Sequence, residues 1–171
     1  ANLPSNATSS SMIPVSSAAL GKKDIDKART AYTYALKLSL ACSLAGALIM
    51  FVFAEPLISL LTYEPSMEAL RPEFTWTLMV GGLSAPLSAM MGIGSAMLQS
   101  LKRSKISMYY YFFWMVLKLA MYAVACQYSF HTLIYCMVLV HLIGGVCLLS
   151  LGYREFGKIR RSLENEAGAA A

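Results

Sequence analysis

A single lysine, Lys118, lies deep inside an apolar segment that runs from Ile106 to Tyr128. It is twelve residues past Ile106, which is roughly 18 Å along a helix that rises about 1.5 Å per residue. A charge at such depth in a bilayer costs at least about 2.5–3.5 kcal/mol, so Lys118 is expected to face the protein interior or a cavity. Two roles remain open. Lys118 could line a substrate cavity, or it could pair with a polar group elsewhere and serve structure alone.

Aromatic residues share the helical face of Lys118. Tyr111, Trp114 and Tyr122 are seven, four and four residues away from it, which are helical-face spacings. A cation among aromatic rings suits an anionic or zwitterionic substrate and would repel a cationic one. These three residues are therefore candidates for the wall of a substrate cavity, together with Lys118.

Three further polar or helix-bending residues are cavity candidates. His141 lies in the middle of the last apolar segment, where it could relay a proton, although a hydrogen-bonded packing role is the simpler interpretation. Gln99 lies near the end of the segment 74–101, where an interhelical hydrogen bond is the simpler interpretation. Pro86 lies in the middle of the same segment and is expected to bend it.

Acidic residues are absent from the apolar segments. Intramembrane acids usually carry proton or sodium coupling, so a coupling Na⁺ or H⁺ ion is expected to bind outside these segments. No other cofactor and no metal site are expected. The sequence also lacks a phosphate-binding loop, a nucleophile elbow and an HExxH motif, so an enzyme is not expected.

The composition indicates the fold class. Of the 171 residues, 57% are hydrophobic and 13% are charged, against about 25% charged in average proteins. The uncharged run 74–101 exceeds the roughly 20 residues that a helix needs to cross a bilayer core. The sequence therefore predicts an all-α, polytopic membrane helix bundle in a lipid bilayer, with one unit over 1–161. Its spans are expected at about 5–20 (partial), 32–54, 74–101, 106–128 and 132–153.

The two ends of the chain are less regular. Residues 1–20 are rich in serine and interrupted by Pro4 and Pro14, so they could form a polar, disordered tail. They could also form the end of a membrane helix whose serines face a cavity, and this interpretation is preferred. Because no initiating Met or signal peptide is visible, the chain is expected to be the C-terminal part of a longer protein. Residues 162–171 are expected to be a flexible tail.

Small residues recur at helical spacing along the segment 74–101 and let another helix backbone approach closely. Two neighbouring rows are predicted to pack against other helices. The first row is Ser84, Ser88, Gly92, Ala96 and Ser100, and the second is Gly81, Ala85 and Ala89. A similar row, from Ala31 through Ala35, Ser39 and Ser43 to Ala47, is predicted for the preceding long helix.

The basic residues predict an orientation in the membrane. They cluster after residue 20, after residue 101 and after residue 153, whereas the loop 55–73 is acidic. Because cytoplasmic loops are enriched in Lys and Arg, these clusters predict that the C-terminus lies in the cytoplasm. The protein is expected in the inner or plasma membrane of the cell. The net charge of +5 is explained by this topology, and no nucleic-acid partner is expected.

The order of short motifs resembles the C-terminal half of MATE (multidrug and toxic compound extrusion) transporters over about residues 10–155. Gly21 precedes a helix start with Asp24, Lys27, Ala28 and Arg29, and that helix ends at 55–57, Glu-Pro-Leu. An acidic loop follows, then a helix with Gly82 and Pro86 that ends Leu-Gln-Ser-Leu-Lys at 98–102. The resemblance implies twelve helices in two six-helix lobes, with this chain supplying part of helix eight through helix twelve.

The resemblance further implies an antiporter that exports drugs or other xenobiotics, often amphiphilic and small, by rocking two lobes under a Na⁺ or H⁺ gradient. The partner of this chain would then be the N-terminal lobe of the same transporter. Two positions depart from the family pattern. The segment 74–101, equivalent to helix ten, has no acid, and Lys102 replaces a common glycine. The alternatives are a flippase of the same superfamily for lipid-linked oligosaccharide or peptidoglycan precursors, and a non-transporting membrane fragment.

Overall fold

Helices make up the structure, a computed structural model that describes residues 3–61 and 65–169. In chain order the α-helices are α1 (Leu3–Gly21), α2 (Ile25–Val52), α3 (Ala54–Leu61), α4 (Arg71–Gly82), α5 (Ser84–Ser100), α6 (Ser104–Ala125) and α7 (Phe130–Ala169), with a short 3₁₀ helix over Pro65–Leu70. The described residues contain no strand, which confirms the all-α prediction. Within them, four ranges are long and apolar enough to cross a membrane: Ile25–Val52, Glu68–Ser100, Ser104–Ala125 and Phe130–Leu163.

The serine-rich N-terminal segment is helical. Helix α1 runs from Leu3 to Gly21 with Pro14 inside it, and it lies against α2 and α5. Met12 and Ala19 are buried in these contacts. Because this segment is a packed helix, the structure agrees with the preferred interpretation of a helix and not with a disordered tail.

The turn between α1 and α2 is tight and well capped. Lys23 has a left-handed backbone with φ of 59°, and the Asp24 N–H donates to the carbonyl of Ala19 at 3.0 Å. The Asp24 side chain then accepts a 3.0 Å hydrogen bond from the Lys27 N–H. Asp24 therefore caps the N-terminus of α2, as the sequence predicts.

The turn between α5 and α6 has the same geometry. Lys102 has φ of 58°, and the Arg103 N–H donates to the carbonyl of Leu98 at 2.8 Å. This six-to-one bond around a left-handed residue is a Schellman arrangement, in which glycine is the usual residue because it lacks a Cβ. Lys102 thus occupies a position whose backbone favours glycine.

The long apolar segment 74–101 is interrupted at one residue, Leu83, within a single span. Helix α4 ends at Gly82, Leu83 forms the break, and α5 begins at Ser84. Proline has no N–H to bond the carbonyl four residues back, and its ring clashes with that carbonyl. The partner position of Pro86 is Gly82, so the break lies where the proline predicts it.

Helices α5 and α7 cross with their backbones in close contact. A Cβ added to Gly94 would lie 2.9 Å from the carbonyl carbon of Leu148, and one added to Gly145 would lie 2.8 Å from the carbonyl oxygen of Leu87. A Cβ on Gly152 would lie 3.3 Å from Met97. Glycine at these positions allows the two helices to approach, as small residues do in membrane helix pairs.

The largest buried cluster is at the basic end of the bundle, where α1, α2, α5 and α7 meet. The ring of Tyr32 meets that of Phe156 edge to face at 5.3 Å, and the Tyr32 hydroxyl lies 2.7 Å from the Ser100 hydroxyl. Nearby, Glu155 accepts a hydrogen bond from Lys158 and lies 3.8 Å from Arg103. The ends of α5, α6 and α7 are joined there by both apolar and charged contacts.

Several boundaries differ from those predicted. Helix α2 begins at Ile25, within the first basic cluster, and α6 spans Ser104–Ala125. Helix α7 continues to Ala169, well past the expected end of the last span and through most of the segment 162–171 that was expected to be flexible. Residues 170–171 of that segment lie outside the described residues. The predicted small-residue row of α2 is buried from Ala35 to Ala47.

Candidate functional site

A cavity of about 350 Å³ lies between α5, α6 and α7. It is called the Lys118 cavity below. Its walls combine one cation, two aromatic rings, two methionines, a hydroxyl and an imidazole. The lining residues are Ser88 and Met91 of α5, Tyr111, Trp114, Met115 and Lys118 of α6, and His141 of α7. Four of the sequence-predicted cavity residues therefore come together in one place: Tyr111, Trp114, Lys118 and His141.

Lys118 is half-buried in the wall of this cavity. Its Nζ lies 5.8 Å from the centroid of the Tyr122 ring, one helical turn further along α6. This is within the distance at which a cation is attracted to an aromatic face. Among the described residues, no ion pair joins Lys118 to a carboxylate; Arg103 and Lys158 both pair with Glu155.

The indole of Trp114 is held by contacts with α6 and α7. The Tyr110 ring stacks on it with centroids 5.8 Å apart and planes inclined by 9°. The Tyr110 hydroxyl donates to the Gly144 carbonyl at 2.8 Å. Gly144 itself lies against the indole, since a Cβ there would be 2.7 Å from Trp114 Cε2. These contacts fix one aromatic wall of the cavity.

His141 uses one of its two ring nitrogens in a hydrogen bond within α7. Its Nδ1 lies 2.7 Å from the carbonyl oxygen of Met137, one turn earlier in α7. A carbonyl can only accept, so Nδ1 carries the proton and donates. No hydrogen bond of Nε2 is found within the described part of the chain. Nε2 can therefore accept from a ligand when the ring is neutral and donate to one when the ring is charged.

The remaining candidate residues are placed around the cavity. The Tyr111 hydroxyl donates to the Met91 carbonyl at 3.4 Å, which holds the second aromatic wall. Tyr122 does not line the cavity but carries its ring beneath Lys118. Its buried hydroxyl has no hydrogen-bond partner among the described residues.

Pro86 and Gln99 are not among the lining residues. Pro86 acts on the backbone, at the break between α4 and α5. Gln99 is exposed, and its Nε2 donates at 3.2 Å to the hydroxyl of Ser95 on its own helix. Ser95 in turn lies 2.8 Å from the hydroxyl of Ser107 on α6. The interhelical bond therefore runs through Ser95, one turn from the glutamine predicted to make it.

The predicted small-residue rows of α4 and α5 have mixed surroundings. Ala85, Ala89, Ala96 and Ser100 are buried, in agreement with packing. Gly92 lies against α1, since a Cβ there would be 3.2 Å from the Ser9 hydroxyl. The rest line cavities: Ser88 in the Lys118 cavity, and Gly81 and Ser84 in an apolar cavity of about 420 Å³ beside the break at Leu83.

Sequence reasoning missed three contributors to the Lys118 cavity. The residue patterns single out neither Met91 nor Tyr110, and they assign Ser88 to packing. The hydrogen bond of Tyr110 to Gly144 nevertheless ties α6 to α7. Ser88 and Met91 are three residues apart, a spacing that places both on one face of α5, and this was the available signal. Within the described residues, no group of three His, Cys, Asp or Glu side chains could hold a metal ion.

Comparisons with solved structures show the fold. An inward-facing multidrug resistance MATE family transporter of the MOP superfamily matches with a TM-score of 0.80 and 21% identity, over 92% of this chain and 36% of that one. An outward-facing transporter of the same description matches with a TM-score of 0.79 and 20% identity, over 90% and 35%. The chain spans about a third of the length of these structures.

A further solved structure has a distinctive description. It is a MOP superfamily transporter from Pyrococcus furiosus whose binding pocket is described as having reverse polarity, suggesting a different function. The TM-score is 0.80 at 20% identity, over 89% of this chain and 34% of that one. No curated protein matches the chain.

The sequence also matches a family profile. The MatE profile covers residues 3–124, which is well over half of the chain. The apolar helices and the family together make this a multi-pass membrane protein, and the solved structures that it resembles are described as MATE family transporters. The resemblance stated from the short motifs is confirmed, and the chain belongs to the MatE family.

Proposed function

We propose that the chain forms part of a secondary active transporter that exports drugs or toxic compounds by antiport against Na⁺ or H⁺, and that the Lys118 cavity contacts the substrate. The observation that carries this proposal is the gathering of Lys118, Trp114, Tyr111 and His141 around one cavity in a MatE-family helix bundle. A cavity with a mostly apolar wall and a few polar groups is the usual form of a small-molecule site.

Alternating access fits the comparisons. The chain resembles an inward-facing and an outward-facing transporter almost equally, with TM-scores of 0.80 and 0.79. A part of a transporter that keeps its shape in both states behaves as a rigid unit, and the motion then occurs between such units. The second unit in this proposal is the N-terminal lobe of the same transporter.

The coupling ion in this proposal binds outside the described helices. The apolar segments contain no carboxylate. Intramembrane carboxylates are the groups that usually bind a transported sodium ion or proton.

A second candidate function is flipping of lipid-linked oligosaccharide or peptidoglycan precursors. Lys118 favours it, because a cation in an apolar cavity suits the phosphates of such precursors better than it suits a cationic drug. The similar structure from Pyrococcus furiosus is described as having a binding pocket of reverse polarity, which also supports a substrate other than a cationic drug.

The test is transport by the transporter that contains this chain, reconstituted in liposomes. Fluorescent amphiphiles of both charges should leave the vesicles only when a Na⁺ or H⁺ gradient is imposed. Lys118→Ala should slow transport of at least one substrate by about tenfold, which corresponds to about 1.4 kcal/mol. Lys37→Ala, which removes an exposed lysine of α2, is the matched control. Unchanged transport of every substrate by Lys118→Ala would remove the cavity role, and gradient-independent efflux would remove the antiport.

A further inference from the structure

We propose that the Lys118 cavity is an anion-selective site for small aromatic acids, that is, flat aromatic molecules bearing a carboxylate, sulfonate or phosphate. This inference rests on the proposed function, since it names the substrate class of the same cavity. It reverses the charge preference expected of an exporter of cationic amphiphiles.

The charges around the cavity carry the first step. Lys118 is a half-buried cation with no carboxylate partner among the described residues. The ring of Tyr122, whose centroid lies 5.8 Å from the Lys118 Nζ, attracts the cation weakly and does not neutralise it. An ammonium group removed from water gains most from a negatively charged oxygen, because charge-assisted hydrogen bonds are about twice as strong as neutral ones.

The other polar groups are consistent with an oxyanion. His141 uses Nδ1 for Met137, so only Nε2 of its ring can face a ligand. Ser88 adds a hydroxyl to the same wall. Neither Asp nor Glu lines the cavity. A cationic ligand would therefore meet a like charge and find no carboxylate to neutralise it.

The shape of the wall selects the body of the ligand. Trp114 is fixed by the stacked Tyr110 ring and by close contact with Gly144. A second ring, Tyr111, lines the same cavity, with Met91 and Met115 beside it. Offset stacking on fixed rings and contact with polarisable thioethers both favour a flat aromatic molecule. The volume of about 350 Å³ lies at the small end of the range for ligand cavities.

The experiment compares three dansyl compounds of different charge with one fluorophore. Dansylglycine is anionic, dansylamide is neutral and dansylcadaverine is cationic. The 171-residue chain is placed in phosphatidylcholine nanodiscs, with Trp76→Phe so that Trp114 is the remaining tryptophan. Energy transfer from Trp114 to the dansyl group then reports binding near the cavity, and empty nanodiscs supply the partitioning background.

The expected result is saturable binding in the order dansylglycine, dansylamide, dansylcadaverine. Lys118→Gln should weaken dansylglycine by about tenfold or more and leave dansylamide within about twofold, because one charge-assisted bond is lost. Lys118→Arg should keep most of the affinity for the anion because it keeps the charge, and the order of the three ligands on the unchanged chain tests the site even if the glutamine variant unfolds. Lys37→Gln controls for the loss of any lysine near the bilayer.

Two results would overturn the proposal. One is dansylglycine affinity that is the same in Lys118→Gln, Lys118→Arg and the unchanged chain. The other is displacement of dansylglycine by phosphatidylglycerol in the nanodisc with a dependence on Lys118, which would assign the site to a lipid headgroup. Because no ion gradient is present, failure here leaves the antiport proposal standing. Conversely, anion binding without gradient-driven transport would contradict only the proposed function.

Discussion

Gly144 lies against the indole of Trp114, so close that a Cβ at position 144 would be 2.7 Å from Cε2, Cζ2 and Nε1 of that ring. The same glycine accepts the hydrogen bond of Tyr110 through its carbonyl oxygen. One residue of α7 therefore sets the position of two aromatic side chains of α6. The aromatic wall of the Lys118 cavity depends on the absence of a side chain there.

Gly144→Ala should displace the Trp114 indole and change the shape of the Lys118 cavity. A contact of 2.7 Å requires the indole to shift, and overpacking of this kind costs about 1–3 kcal/mol. In a Trp76→Phe background we expect a changed Trp114 emission maximum and a lower Tm in detergent. Gly46→Ala is the control, because nothing lies within 4 Å of its added Cβ. It should leave the emission unchanged and raise stability slightly, since alanine favours a helix by about 0.5–1 kcal/mol over glycine. Equal Tm and emission for the two variants would contradict the contact.

Lys102→Gly should stabilise the protein, although it removes a side chain. Lys102 has φ of 58°, and a left-handed backbone costs a residue with a Cβ about 1 kcal/mol or more relative to its ordinary conformation. Glycine gives back part of this gain by its larger freedom in the unfolded chain. We therefore expect a Tm equal to or above that of the unchanged protein.

The comparison for Lys102→Gly is Lys105→Gly. Lys105 lies in the first turn of α6, where glycine lowers helix stability by about 0.5–1 kcal/mol. Both variants remove one lysine from the same basic cluster, so they differ only in backbone conformation. If Lys102→Gly melts as early as Lys105→Gly, the left-handed conformation at position 102 is contradicted.

The sequence was informative where a short-range rule applies. Asp24 caps α2, Pro86 coincides with a helix break, and small residues of α2 are buried as their four-residue spacing predicts. Lys118, Trp114, Tyr111 and His141 were each singled out by type and depth, and the structure brings them to one cavity. These features depend on a residue and its neighbours within about one or two turns.

Other features depend on which helices meet and could not be read from one segment. Gly94 and Gly152 are ordinary glycines in the sequence, yet they allow α5 and α7 to come into close contact. Gln99 has the right chemistry for an interhelical bond, but the rotation of α5 gives that contact to Ser95. Helix rotation and partner choice are set by packing across the whole bundle.

The distribution of basic residues predicts on which side of the membrane the C-terminus and the turn at Ser129 lie. Lys102, Arg103 and Lys105 follow α5, whereas the turn before α7 at Ser129 is uncharged. By the positive-inside rule, a fluorescent protein fused after Ala171 should fluoresce in the cytoplasm. Alkaline phosphatase, which is active only outside the cytoplasm, should be active when inserted at Ser129. The opposite pair of activities would mean that the chain has the inverse orientation.

The hydroxyl pair between Ser95 and Ser107 makes an asymmetric prediction. Both side chains are buried, and their oxygens are 2.8 Å apart across α5 and α6. Ser95→Ala leaves the Ser107 hydroxyl without this partner, and a buried unsatisfied polar group costs about 1–3 kcal/mol. Ser107→Ala leaves Ser95 still accepting from Gln99 at 3.2 Å, so its cost should be smaller.

Thermal unfolding of four variants would measure this asymmetry. Ser95→Ala should lower Tm more than Ser107→Ala, and the double variant should be no worse than Ser95→Ala, because no hydroxyl then remains unpaired. Ser150→Ala is the control, since its exposed hydroxyl bonds only the Val146 carbonyl of its own helix. Additive losses in the double variant would show that the two serines do not interact.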